Sequence, residues 1–239
     1  MKIEVLFPEG ANLFGDTWNY RYLKECLPEA ELIETALSDE PQFLSGNVDL
    51  VYMGAMTERF QELAIKKLMP HKARILELVD MGKVFLMTSN AGEVFCDYIE
   101  NEDGTRVEAL GVYHLYAKRD MMHRYNSTVL GKLNDHFTDM DIVGFKAEFS
   151  QLHGLDSDVD SLAELSFGTG RNSETKTEGV RVNNFFSTSI VGPFLLMNPL
   201  FVKYLMERMG VLEPKLAHED VIMSAYKKRL ADIKRMADK

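Results

Sequence analysis

A serine at the end of a predicted strand is the residue whose position most suggests chemistry. Ser89 follows the apolar run 83–87, which has the length of a buried strand, and precedes a tight-turn sequence at residues 90–92. A strand, a tight turn and a short helix form the arrangement that presents a nucleophile in many α/β enzymes. A serine hydroxyl is un-ionised at neutral pH, so Ser89 would need an adjacent base to act in this way.

Candidate bases and alternative nucleophiles are few in this chain. His114 and His153 come from the β-rich second half and could approach Ser89 in space, which leaves a Ser89–histidine pair open as an alternative. Cys96 and Cys26 lie in apolar segments, where a free thiol usually packs as a small hydrophobic side chain. The histidines show no HExxH or i,i+4 spacing and the cysteines no CxxC pair, so we predict no metal site and no cofactor.

The segments before Ser89 predict the start of a parallel α/β sheet. Strand patterns at residues 2–7, 31–37 and 48–53 alternate with helical spacing, as in βαβ units. A further helical pattern covers residues 57–81, with Thr57 as its N-cap and a break at Pro70. These elements would place Ser89 at the end of a central strand.

The second half begins with β patterns and closes with helices. Residues 107–118, 141–149 and 180–191 read as strands, and the last helix is predicted at residues 213–238. We see no repeat or linker composition, which favours a single domain over residues 1–239.

Composition excludes several classes of partner. The formal net charge of −10 argues against nucleic acid, because proteins that bind phosphate backbones need a basic surface. The first apolar run ends at Pro8, too short for a signal peptide or a membrane span. Two isolated cysteines suit a reducing compartment. We therefore expect a cytoplasmic protein without membrane insertion.

Four segments together resemble class I glutamine amidotransferases. They are residues 6–16, with Pro-Glu-Gly-Ala-Asn-Leu-Phe-Gly-Asp; 49–56, a strand into Gly54; 82–96, the strand and turn at Ser89; and 168–199, with Thr-Glu-Gly, Gly-Pro and Asn-Pro. In order and spacing they are similar to the small amidotransferase subunit of lipid II isoglutaminyl synthase and, more distantly, to the CobB/CobQ-like amidotransferase domain of cobyric acid synthase. The resemblance covers about residues 3–210.

The resemblance implies a fold and a partner. The fold would be a three-layer, flavodoxin-like α/β domain with a mixed, mostly parallel central sheet. The partner would be a Mur-ligase-like or other synthetase subunit acting in cell-wall synthesis, to which ammonia is passed.

The same resemblance implies that the catalytic residues have been replaced. In the family a cysteine attacks the glutamine amide, a histidine transfers protons and backbone N–H groups hold the oxyanion. Counting along the matching segments places Ser89 at the cysteine position and Val191 at the histidine position. Valine cannot act as a base, so we expect little or no glutaminase activity.

The remaining pocket positions also depart from the family. The two glycines after the family's cysteine become Asn90 and Ala91, and Glu93 stands at the glutamine position. Residues 146–151 contain no arginine to bind the carboxylate of glutamine. We predict that Asn90, Glu93 and Gly54 line the former pocket, together with Asp16, for which helix N-capping is an equal interpretation.

Three functions therefore remain open from the sequence. The first is a glutaminase-inactive amidotransferase-like subunit that docks on, or regulates, a Mur-ligase-like partner. The second is a hydrolase or transferase that acts through Ser89 with a rebuilt base. The third is a small-molecule binding module that uses the old glutamine pocket.

Overall fold

The computed structural model describes residues 1–135, 138–155, 157 and 159–238 of the chain. The strands in chain order are β1 Lys2–Leu6, β2 Glu31–Thr35, β3 Leu50–Met53, β4 Val84–Thr88, β5 Tyr98–Glu100, β6 Arg106–Glu108, β7 Tyr116–Arg119, β8 Tyr125–Leu133, β9 Asp141–Glu148, β10 Ser150–His153, β11 Ala163–Phe167, β12 Thr177–Glu178, β13 Val180–Val182, β14 Phe185–Thr188 and β15 Ile190–Val191. The α-helices are α1 Thr17–Cys26, α2 Glu58–Leu68, α3 Lys72–Asp80, α4 Phe194–Met197, α5 Pro199–Arg208 and α6 Glu219–Ala237.

A six-stranded sheet forms the centre of the fold, in the order β13-β14-β4-β3-β1-β2. Every neighbouring pair from β14 to β2 is parallel, and only β13 is antiparallel to its neighbour. Strands β3 and β4 are buried along their whole length, as expected for parallel strands covered on both faces. This arrangement confirms the predicted mixed, mostly parallel α/β class.

Helices cover both faces of the central sheet and produce three layers. One apolar cluster joins the sheet to α2 and α3, through residues such as Ile65 and Ile75. The other joins it to α1, α4 and α5, through residues such as Leu23 and Phe201. Thr57 caps α2 by accepting a hydrogen bond from the Phe60 N–H, as its sequence position predicts.

Two smaller sheets are formed mainly by the segment between β4 and β13, and β15, which follows β14, adds one strand to the larger of them. A four-stranded sheet has the order β10-β7-β5-β6, and a five-stranded sheet the order β12-β11-β8-β9-β15. Strand β9 belongs to the five-stranded sheet and β10 to the four-stranded sheet, with only Phe149 between them. The chain therefore passes from one small sheet to the other next to Phe149.

Several sequence-based boundaries differ from the structure, and residues 109–115, predicted as strand, lie between β6 and β7 outside any strand. The short helix expected after Ser89 is a 3₁₀ helix, Ser89–Phe95, and strand β5 begins at Tyr98. Helix α6 begins at Glu219 rather than at residue 213, because His218 before it has the left-handed conformation (φ 51°), which interrupts a right-handed helical path. None of the described helices combines the length and apolar character needed to cross a bilayer.

Candidate functional site

Ser89 lies at a sharp turn directly after the central strand β4. Its φ of +56° is in the left-handed region, which is unusual for a residue with a side chain and is typical of strained functional turns. Because β4 is flanked by the parallel strands β3 and β14, its carboxyl end lies at the middle of one sheet edge. This is where ligands bind in open parallel sheets.

A cavity of about 200 Å³ opens beside Ser89. Segments that are distant in sequence contribute to its wall: the turn after β1, the start of α2, the β4 turn and the passage from β9 to β10. The lining residues are Leu13, Phe14, Met56, Thr57, Glu58, Ser89, Asn90, Arg124, Ala147, Glu148, Phe149 and Ser150.

Among the residues that the structure describes, no histidine reaches Ser89. His114 is exposed and contacts Asp97 at 3.3 Å, and the His153 ring stacks on Tyr116 with a centroid distance of 5.6 Å. Neither histidine lines the cavity. Val191 lies buried in β15 opposite Phe145. In the described part of the chain no side chain accepts or donates a hydrogen bond to the Ser89 hydroxyl, so its nucleophilicity is not enhanced by a bound base.

Asp16 does not line the cavity, contrary to the sequence prediction. Its buried carboxylate accepts hydrogen bonds from Thr88 Oγ1 at 2.6 Å and from the Ala55 N–H at 2.8 Å. It makes no side-chain capping bond to α1, so the N-cap interpretation also fails. Burial raises the pKa of the Asp16 carboxyl, although these hydrogen bonds oppose the rise. Asp16 holds the end of β4 against the loop that follows β3.

Gly54 is also placed behind the cavity wall rather than in it. A Cβ at this position would lie 2.7 Å from the Ala11 carbonyl oxygen, so the glycine permits close backbone packing. Asn90, in contrast, lines the cavity as predicted. Its side-chain amide pairs with the backbone of Met56: Oδ1 accepts from the N–H at 3.0 Å, and Nδ2 donates to the carbonyl at 2.8 Å.

Glu93 points into the protein interior instead of the predicted pocket. Its carboxylate accepts hydrogen bonds from Gln61 Nε2 at 2.8 Å and from the Ser150 hydroxyl. Gln61 in turn accepts from Arg119 at 2.7 Å. Burial raises the pKa of Glu93, and the Arg119 charge and both hydrogen bonds oppose the rise. Glu93 therefore belongs to a buried polar network that supports the Ser89 turn from behind.

Sequence analysis did not identify a buried charged group that lies next to the cavity. The Lys146 ammonium, 1% exposed, contacts Glu148 at 3.0 Å and donates to the Gly170 carbonyl at 2.6 Å. Burial raises the pKa of Glu148 to about 7, although Lys146 opposes the rise. Glu178 is fully buried and receives hydrogen bonds from Thr188 and the Ser189 N–H; burial raises its pKa, and Lys146 again opposes this.

Arg124 is the second residue that sequence reasoning missed. It comes from the turn between β7 and β8, yet its guanidinium lies over the Phe149 ring at 4.5 Å and lines the cavity. No carboxylate among the described residues is within ion-pair distance of it. Residues 146–151 contain no arginine, as the sequence shows, but Arg124 from a different segment lines the cavity. An unpaired guanidinium can bind a carboxylate with two hydrogen bonds.

Cys96 is fully buried, and its Sγ donates to the Tyr98 carbonyl at 3.1 Å. Burial raises the pKa of this thiol, so it stays protonated. Cys26 is half-buried and accepts a hydrogen bond from the Ala217 N–H at 3.3 Å. Among the described residues, no cluster of three or more His, Cys, Asp or Glu side chains could hold a metal.

Solved structures of glutamine amidotransferases share this fold. The glutaminase domain of Trypanosoma brucei CTPS with bound acivicin aligns with a TM-score of 0.56 at 10% identity, covering 91% of this chain and 98% of that one. A glutamine amidotransferase from Thermotoga maritima aligns with a TM-score of 0.51 at 9% identity, covering 100% and 99%. The chain therefore has the fold of these glutamine amidotransferases.

In sequence the chain resembles a particular subunit within this class. It is 28% identical over 211 residues to the lipid II isoglutaminyl synthase (glutamine-hydrolyzing) subunit GatD of Staphylococcus aureus, covering 85% of this chain and 84% of that protein. It is 24% identical to the corresponding subunit of Streptococcus pneumoniae, covering 100% of this chain and 93% of that protein. No family model matches the chain.

Proposed function

We propose that this protein is a glutaminase-inactive amidotransferase-like subunit that docks on a Mur-ligase-like partner. The observation that carries the proposal is the state of Ser89. It occupies the strained turn after β4, where a nucleophile would stand, but its hydroxyl contacts no base in the described part of the chain. Loss of the nucleophile or base from a triad costs on the order of 10⁶ in turnover.

Exposed apolar side chains at the cavity support docking. Leu13 and Phe14 line the cavity yet remain 37% and 44% exposed, and Trp18 at the start of α1 is 49% exposed. Phe14 also has a positive φ of 57°, an unfavourable conformation for an aromatic residue. Exposed apolar groups gathered at one place typically mark contact surfaces.

We expect the purified chain to release no ammonia or glutamate from glutamine, alone or mixed with a candidate Mur-ligase-like subunit. The chain and that subunit should nevertheless elute together from a size-exclusion column. Both measurements use the unmodified protein. Clear glutamine turnover would refute the inactive assignment, and separate elution at micromolar concentrations would refute the docking assignment.

A matched pair of variants tests where the partner binds. Phe14→Ser removes an exposed apolar group at the cavity, and Leu212→Ser removes one that is 95% exposed in the loop before α6. Only Phe14→Ser should weaken the complex. Equal effects of the two variants would place the contact elsewhere.

Arg124 favours a second candidate, a binding module for a small carboxylate ligand. Its unpaired guanidinium and the cavity of about 200 Å³ provide an anion-binding group and space for a small molecule. Glutamine and glutamate are the first ligands to test, because the resemblance to glutamine amidotransferases implies a former glutamine pocket beside Ser89.

A ligand of this kind should raise the melting temperature of the wild-type protein. Arg124→Met should weaken its binding about 10- to 100-fold, since a hydrogen bond to a charged group contributes about 1.5–3 kcal/mol. Arg21→Met is the matched control, because Arg21 stacks on Trp18 outside the cavity and should leave binding unchanged. No thermal shift with any amino acid or small carboxylate would exclude this candidate.

A further inference from the structure

Two backbone N–H groups in the loop after β3 each donate a hydrogen bond to a side chain. The Ala55 N–H donates to Asp16 Oδ2 at 2.8 Å, and the Met56 N–H donates to Asn90 Oδ1 at 3.0 Å. Asn90 is held there at two further points: its Nδ2 donates to the Met56 carbonyl at 2.8 Å, and its own carbonyl accepts from Gln61 Nε2 at 2.6 Å. The Asn90 amide is therefore fixed in place.

This loop lies where an oxyanion would form. Strands β3 and β4 are parallel neighbours with Met53 opposite Met87, so the chain beyond Met53 runs beside the Ser89 turn. Met56, Ser89 and Asn90 line the same cavity. In enzymes with a nucleophile at such a turn, the oxyanion is held by the N–H after the nucleophile and by an N–H from the loop after a neighbouring strand. The Met56 N–H is in the second of these positions.

We propose that the Asn90 side chain occupies the oxyanion site. Its amide oxygen accepts the hydrogen bond from the Met56 N–H that the oxyanion of a reacting amide would need. This inference rests on the proposed loss of glutaminase activity and adds a cause that does not depend on Ser89 or Val191. A glycine at position 90, as in the family that the sequence resembles, has no side chain to reach Met56. Replacing the nucleophile and base alone is then insufficient to restore turnover.

The test begins from a Ser89→Cys/Val191→His background. There the cysteine thiolate attacks the amide carbon of glutamine, and the electron pair of the C=O bond moves to its oxygen. Ammonia leaves with a proton from the imidazolium, and water then cleaves the thioester to glutamate. Adding Asn90→Gly should raise kcat about 10²- to 10³-fold, the typical contribution of one oxyanion donor, with KM changed only a few-fold.

Asn90→Asp on the same background is the matched control. It keeps an acceptor oxygen for the Met56 N–H and should give no gain in kcat. Hydrogen exchange of the Met56 amide gives a second readout without catalysis: exchange should be faster in Asn90→Gly than in the wild type. It should also be faster in Asn90→Gly than in Asn90→Asp, which loses the bond to the Met56 carbonyl but keeps an acceptor for the Met56 N–H.

A triple variant no faster than the double variant, whether both turn over or neither does, overturns the assignment of Asn90. Unchanged exchange of the Met56 amide in Asn90→Gly overturns it as well. Glutamine turnover by the wild-type protein would instead refute the proposed function, so failures of the two proposals are distinguishable.

Discussion

Replacing Lys146 by methionine is expected to lower the free energy of unfolding by about 3–5 kcal/mol at pH 8, the usual cost of removing one partner from a buried ion pair. Lys146 is 1% exposed and contacts Glu148 at 3.0 Å, while Glu178 close by is fully buried. Without the ammonium, the two carboxylates would be left in a medium of low dielectric constant. Urea unfolding followed by circular dichroism measures the loss.

Lys132→Met is the control for this effect. Lys132 lies in the neighbouring strand β8 and also contacts two carboxylates, Asp139 and Asp141, but its side chain is 55% exposed. Its replacement should cost at most about 1 kcal/mol. The cost of Lys146→Met should also shrink at pH 5, where Glu148 and Glu178 can take up protons. A loss that is the same at both pH values would assign the effect to packing rather than to charge.

Stability of the wild-type protein should fall as pH rises from about 4.5 to 7. Glu148 has a pKa of about 7 when folded, against an ordinary value of 4.5. Between these values the folded state retains a proton that the unfolded state has lost, so raising the pH favours unfolding. The shift corresponds to about 3 kcal/mol from Glu148. Burial also raises the pKa of Asp16, Glu93 and Glu178, which act in the same direction.

Other titratable groups change the unfolding free energy with pH in the opposite direction. Burial lowers the pKa of His153, which adds stability as pH rises through 6.5. Asp103 and Asp120 have lowered pKa values, so their contribution to stability is present above pH 3.8 and is lost only as the pH falls below that value. Comparing Glu148→Gln with the wild type isolates the Glu148 contribution. The variant should show a smaller decrease in unfolding free energy between pH 4.5 and 7, and parallel curves would contradict the assignment.

The sequence was sufficient for the central sheet because that sheet depends on local patterns. Apolar runs at residues 48–53 and 83–87 predicted β3 and β4, and Thr57 predicted the start of α2. The position of Ser89 followed from the length of the preceding strand. Helix α6 was placed too early because sequence periodicity does not reveal the left-handed conformation of His218.

The wall of the cavity could not be predicted in the same way. Arg124 and Glu148 reach it only because β8 and β9 pair along their length and β10 leaves for another sheet. Such long-range pairing is not encoded in local periodicity. Asp16 was misassigned because an aspartate before a helix usually caps it, whereas here the carboxylate faces Thr88 and Ala55 in the interior.

The order of strands in the central sheet has a consequence for biosynthesis. Strand β4 is an interior strand only because β14, from residues 185–188, pairs with it. On the ribosome β4 is complete long before β14 emerges. One backbone edge of this apolar strand therefore stays unpaired while residues 89–184 are translated. The unpaired N–H and C=O groups of such a strand can pair with a strand of another chain. The nascent chain is therefore most exposed to aggregation during synthesis of the two inserted sheets, the period in which a chaperone would protect it.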